Sequence, residues 1–153
     1  MKEEVVSVNY IIDGVISVIP TKMIYEQSCE EEIQYIQYEL SYEDKNIISK
    51  SSSMIEFAVI SLQRALPSNV KIACCQSCRH GSFCPFGDME NEIFCLKDVS
   101  PNNKAEVCDI FSKEINSLNK RSRKLLDFCT DYKPLTSEYY TYNDWDYQTT
   151  KNI

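Results

Sequence analysis

Glycine is scarce, at three of 153 residues. So few leave no glycine-rich loop of the kind whose backbone cradles phosphates. Histidine occurs once, at His80, so any Ser-His-Asp arrangement would have to draw on that one side chain. No apolar run nears the ~20 residues of a membrane-spanning helix, and no membrane partner is expected. The start, MKEEVVSVNY, is acidic and lacks a long apolar stretch. No secretory leader is expected there, and the expected compartment is the cytoplasm. Basic charge is also in deficit, with 16 Lys and Arg against 23 Asp and Glu, a net of -7. A nucleic-acid binder must offset backbone phosphates, so no nucleic-acid partner is expected. Paired catalytic carboxylates cannot be singled out among so many acids, most of which should be solvated.

Cysteine, by contrast, is plentiful, with eight residues. In a cytoplasmic setting thiols stay reduced and serve as core filler, metal ligands or reactive groups. Five of them (Cys74, Cys75, Cys78, Cys84 and Cys95) fall within 22 residues, while Cys29, Cys108 and Cys129 are scattered. Core filler spread at random would not cluster in this way.

The first 45 residues read as strands. EVVSVNYII and VISVIP flank Asp13-Gly14, a dipeptide that tolerates positive φ and signals a hairpin. EIQYIQYELSY follows as a strand whose alternation slips near Ile36, as at a bulge. Residues 51–66 change to a helical period, with Ser53 and Glu56 at capping-box spacing and Pro67 as the stop. VKIACC (70–75) is a short strand leading into the cysteine cluster, residues 76–91 are a loop, and EIFCLKD (92–98) is a further strand. From Val107 to Cys129 apolar residues recur at helical spacing, either as one helix over about 103–130 or as two helices broken near Asn116–Asn119. A tail over 136–153 carries Tyr139, Tyr140, Tyr142, Trp145 and Tyr147. It is expected to cover the core edge, with a mobile partner-binding strip as the alternative.

This pattern predicts one α+β domain over 1–153. Its antiparallel sheet of about five strands carries one central helix and a C-terminal helical segment. The cysteine loop 74–95 lies between the last strands. Charge is uneven: residues 1–70 hold eleven acids and five bases, whereas 101–134 hold seven bases and five acids, mostly through KRSRK at 120–124. Such a run is expected to be a solvated helical face.

Cys75-x-x-Cys78 is a knuckle spacing, in which a tight turn lets two thiolates reach one ion about 2.3 Å from each. Tetrahedral zinc needs two further ligands, and Cys84 and Cys95 are the nearest in sequence. The expected metal set is Cys75, Cys78, Cys84 and Cys95, holding a structural zinc. Gly81 and Gly87 permit the backbone reversals that wrapping an ion requires. His80 is expected to face solvent or support the ligands, and Cys74 to point into the core. A thiol-exchange site lacks a surrounding βαβ pattern, and the spacing differs from that of a ferredoxin.

The motif formed by Cys75, Cys78, His80, the turn Pro85-Phe86-Gly87 and Cys95 resembles a family of uncharacterised small bacterial proteins. Cys129-Thr130-Asp131-Tyr132-Lys133-Pro134 is similar to the family's later segment, so the resemblance covers roughly half the chain. It implies a compact α+β domain that binds a metal through cysteines, and it implies no activity. Family members commonly hold Ser or His at the Cys84 position, which makes Cys129 the reserve fourth ligand. The functional expectation is a non-enzymatic, zinc-stabilised protein-binding module, such as an immunity-type or regulatory partner of another bacterial protein. The alternative is a thiol- or metal-dependent enzyme using Cys75 and Cys78. A nucleic-acid-binding zinc domain would need the 120–124 basic run and the knuckle to share one face. Oligomeric state is not set by these features.

Overall fold

The structure is a computed structural model that describes residues 1–87, 91–113, 117–136 and 140–150. The chain is α+β. It packs as two compact units, one formed by Met1–Ala73 with the described part of Tyr147–Ile153, the other by Cys74–Asp146.

The first unit is a five-stranded antiparallel sheet with one helix. Its strands are β1 (Lys2–Ile12), β2 (Val15–Gln27), β3 (Ile33–Tyr42), β4 (Lys45–Ile48) and β5 (Val70–Ala73), in the order β4-β3-β2-β1-β5. Asp13 and Gly14 both take positive φ, 49° and 84°, which suits the two-residue hairpin joining β1 to β2. A bulge interrupts the β2–β3 register where Glu26 faces Tyr35 and Gln27 faces Ile33, two residues earlier than the slip expected near Ile36. Strand alternation puts Val8, Tyr10, Ile36, Tyr38 and Ile72 in the core. There they join Ala58, Val59 and Leu62 of α1 (Ile55–Ala65), also buried. Tyr10 and Thr21 share a buried hydroxyl hydrogen bond of 2.7 Å, so the phenol is accommodated without an orphaned polar atom.

Helix α1 starts at Met54 without a side-chain cap, so the capping box expected from Ser53 and Glu56 is not made. Ser52 Oγ instead accepts from the Met54 N–H at 3.0 Å. The helix ends at Leu66, just before the expected Pro67 stop.

The second unit has a small sheet, β6 (Gly81–Ser82), β7 (Ile93–Cys95) and β8 (Ser122–Arg123), in the order β6-β7-β8. Strand 92–98 therefore belongs to this sheet. The fifth strand of the large sheet is β4, which the sequence reading passed over. Two helices, α2 (Lys104–Lys113) and α3 (Leu118–Arg121), pack with β7 around an apolar cluster of Cys84, Phe94, Leu96, Val107, Phe111 and Leu118. Phe94 and Phe111 meet edge-on with centroids 5.2 Å apart. A single helix over 103–130 is not formed, because 122–136 is extended and turned. In the tail, Trp145, at the start of α4 (Trp145–Thr150), and Asn143 are buried. The Asn143 amide donates to the Gln76 and Gly81 carbonyls at 2.8 and 3.1 Å. No described helix is long and apolar enough to cross a membrane.

Candidate metal centre

The knuckle begins where β5 ends. Ser77 N donates to Cys74 O at 3.1 Å, Cys78 N to Cys75 O at 3.3 Å and Gly81 N to Cys78 O at 3.0 Å. These successive turns put Cys75 and Cys78 on one concave surface. The His80 N–H also reaches the Cys78 sulfur at 3.5 Å, a contact that favours sulfur carrying negative charge.

Two further segments close around this turn. Gly81 pairs with Cys95 across β6 and β7, which sets Cys95 opposite the knuckle. Segment 125–134 then wraps the other side. Cys75 N donates to Asp127 O at 2.7 Å, Gln76 N to Leu125 O at 3.1 Å, and Arg79 N to Lys133 O at 2.7 Å. Cys129 lies within that strap.

The result is a cavity of about 180 Å³ lined by four cysteines, Cys75, Cys78, Cys95 and Cys129. His80, Asp127, Lys97 and Arg123 also border it. Cys84 does not line the cavity and is buried in the apolar cluster beside Phe94. Cys74 is fully buried, as expected from its position opposite Cys75, and burial pushes its thiol up to about 11. No disulfide joins the eight cysteines.

Burial pushes the Cys75 thiol up to about 12, and negative charge on Cys74, Asp127, Cys78 and Cys129 acts in the same direction. Cys78 is also raised by burial, with negative charge on Cys95 and Cys129 adding to the effect. The backbone N–H groups of Lys133 and His80 pull Cys78 the other way. This electrostatic setting opposes a lone reactive thiolate, which needs a depressed pKa. Mutual repulsion among clustered thiolates is what a divalent cation relieves. His80 is lowered, first by burial and then by Lys133 and Arg79, so the imidazole is neutral near pH 7.

Among the described residues, no group of three or more His, Cys, Asp or Glu side chains is arranged to hold a metal ion as it stands. Coordination would therefore require the cysteine side chains to rotate toward a common point. The donor set itself, four sulfurs around one cavity, fits tetrahedral zinc.

Of the four cysteines in the expected set, Cys75, Cys78 and Cys95 line one cavity together with Cys129, and Cys84 lies outside it. The signal for Cys129 lay in Cys129–Pro134, where the family resemblance pointed to a reserve ligand. No protein-family model matches the chain, and no curated protein matches it in sequence.

Proposed function

We propose that the chain is a zinc-stabilised protein-binding module, with Cys75, Cys78, Cys95 and Cys129 as the zinc ligands. The observation that carries this reading is the convergence of four cysteines from three separate segments on one cavity. Closed four-sulfur sites are structural, and the ion contributes folding energy to the segments it joins. Here it would tie the knuckle, β7 and the 125–134 strap together. The family resemblance at Cys75, Cys78, His80 and Cys95 supports cysteine-held metal in a small bacterial protein. The acidic balance of the chain, -7, suits an immunity-type or regulatory role toward a basic partner, which opposite charge would steer into contact.

A second reading, a metal-dependent enzyme, draws on one observation. The cavity has about 180 Å³ of space, more than an ion alone needs. In that reading zinc has three protein ligands and an open position for water.

Elemental analysis of the purified protein, its Cys129→Ser variant and its Cys84→Ser variant tests the ligand set. The expected result is one zinc per chain in the parent and in Cys84→Ser, with zinc lost or bound at least ~tenfold more weakly in Cys129→Ser. Absence of zinc from the parent overturns the reading. Zinc lost from Cys84→Ser and retained by Cys129→Ser returns the fourth ligand to Cys84.

A further inference from the structure

A second concave surface adjoins the cysteine cavity. It has a volume of about 300 Å³ and is lined by Cys95, Lys97, Asp98, Ser117, Lys120, Arg121 and Arg123. Cys95, Lys97 and Arg123 line both cavities, so the 120–124 basic run and the knuckle share one face of this unit. The sequence alone could not establish this, because a helix over 103–130 would have pointed those bases in several directions.

The charge of this surface opposes that of the chain. Residues 117–124 carry four bases and no acid, in a protein of net charge -7. Asp98 is the one acid among the described lining residues. Two guanidinium groups are held in place. Arg121 Nη1 donates to Cys95 O at 3.2 Å and pairs with Asp98, while Arg123 Nη1 donates to Lys120 O at 2.9 Å and Ser122 O at 2.8 Å. Holding them so reduces the ordering cost of gripping an anion. Lys97 pairs with Asp131 at 2.9 Å, and Lys120 is exposed.

An aromatic side chain stands at the far end. Phe128 lines the cysteine cavity alongside Lys97 and Arg123, and its ring lies against Tyr132 with centroids 5.8 Å apart and planes 30° from parallel. A basic track ending at an aromatic ring is the pairing used to hold single strands, with phosphates on the cations and a base against the ring.

We propose that this face binds a short stretch of single-stranded nucleic acid, with Lys120 and Arg123 on the phosphates, Arg121 held behind them by Asp98, and Phe128 beneath a base. The inference does not rest on the zinc reading, since none of these residues is a proposed ligand. A purely acidic peptide such as polyglutamate could meet the same cations but offers no ring to Phe128, and a rigid duplex could not bring a base to it.

Fluorescence anisotropy with a labelled 12-nucleotide single strand tests the proposal, with zinc content measured on each protein. Binding is expected at low salt. The affinity should fall with salt at a log–log slope of about -1.4, as for two phosphates. The double variant Lys120→Glu/Arg123→Glu should bind at least ~tenfold more weakly with a shallower slope. Lys113→Glu, a single charge reversal outside the groove, should leave binding unaltered, and Phe128→Ala should weaken it without changing the slope. Unchanged zinc content across these variants separates this outcome from the fate of the metal reading. No binding by the parent, or equal loss in Lys113→Glu, overturns the proposal. Polyglutamate or a duplex of the same length binding as tightly as the single strand overturns it as well.

Discussion

Gly81 occupies a point where a β-carbon would collide with the Cys75 carbonyl oxygen and come within 2.9 Å of Ile93 Cδ1. Both neighbours belong to the wall of the cysteine cavity, and the carbonyl, being backbone, cannot move aside cheaply. Gly81→Ala should therefore cost about 1–3 kcal/mol in denaturant unfolding and lower zinc affinity, because it pushes the knuckle away from β7. An unchanged midpoint would show that this close approach is not needed. At this scale the sequence was informative about residue types. That Cys75, Cys78 and Cys95 would meet at one cavity could be read from knuckle spacing and a following strand. Proximity in sequence favoured Cys84, whereas its side chain packs among Phe94, Val107 and Phe111, away from the cavity. Nothing in spacing alone marks Cys129, which reaches the cavity through backbone bonds from 125–133 to the knuckle.

Elements carry a different set of signals. Gln63, on the buried face of α1, donates to Val70 O at 3.0 Å and accepts from Ile72 N at 2.7 Å, bridging helix and edge strand. Gln63→Ala removes both buried bonds and should destabilise the sheet unit by about 1–3 kcal/mol. A loss below ~0.5 kcal/mol in equilibrium unfolding would mean that water replaces the amide. The β3–β4 turn shows why β4 escaped notice. Glu43 and Asp44 both take positive φ, 49° and 62°, in a two-residue hairpin usually marked by Asn-Gly. Glu43→Asn with Asp44→Gly should raise stability by roughly 1 kcal/mol, and a fall would refute the strain argument. Helix starts were similarly displaced. The capping box expected at Ser53–Glu56 is absent, while Asn103 caps α2: Glu106 N donates to Asn103 Oδ1 at 2.9 Å, and Glu106 Oε2 accepts from the N–H of Asn102, the residue before the cap. Beyond Arg121, helical periodicity was overridden by pairing of β8 with β7 and by the strap around the knuckle. Tertiary bonds of that kind leave no trace in a 3.6-residue period.

For the whole molecule, the two compact units divide the chain at Ala73 and Cys74, so every proposed ligand lies in Cys74–Asp146. Removing zinc should therefore loosen that unit first. Because burial and neighbouring charge raise Cys75 to about 12, and Cys78 is raised as well, both thiols are protonated at neutral pH without metal and must lose protons to bind it. Zinc affinity should rise with pH and fall on acidification, as protons compete with the ion for these thiols. Hydrogen exchange followed through that titration should show protection lost first within 74–146 and retained longer in β1, β2 and β3. Simultaneous loss in both units would argue against a local role for the ion. The alternating strands and the Asp13-Gly14 hairpin made the larger unit readable in advance. The smaller one was not, since its two- and three-residue strands are too short to show alternation and are held by loops. X-ray absorption at the zinc edge of the purified protein reports directly on the ion and its ligands. A zinc held by Cys75, Cys78, Cys95 and Cys129 should show a shell of four sulfurs at about 2.3 Å with no oxygen ligand, whereas absence of zinc, or a shell containing water or carboxylate oxygen, would contradict that ligand set.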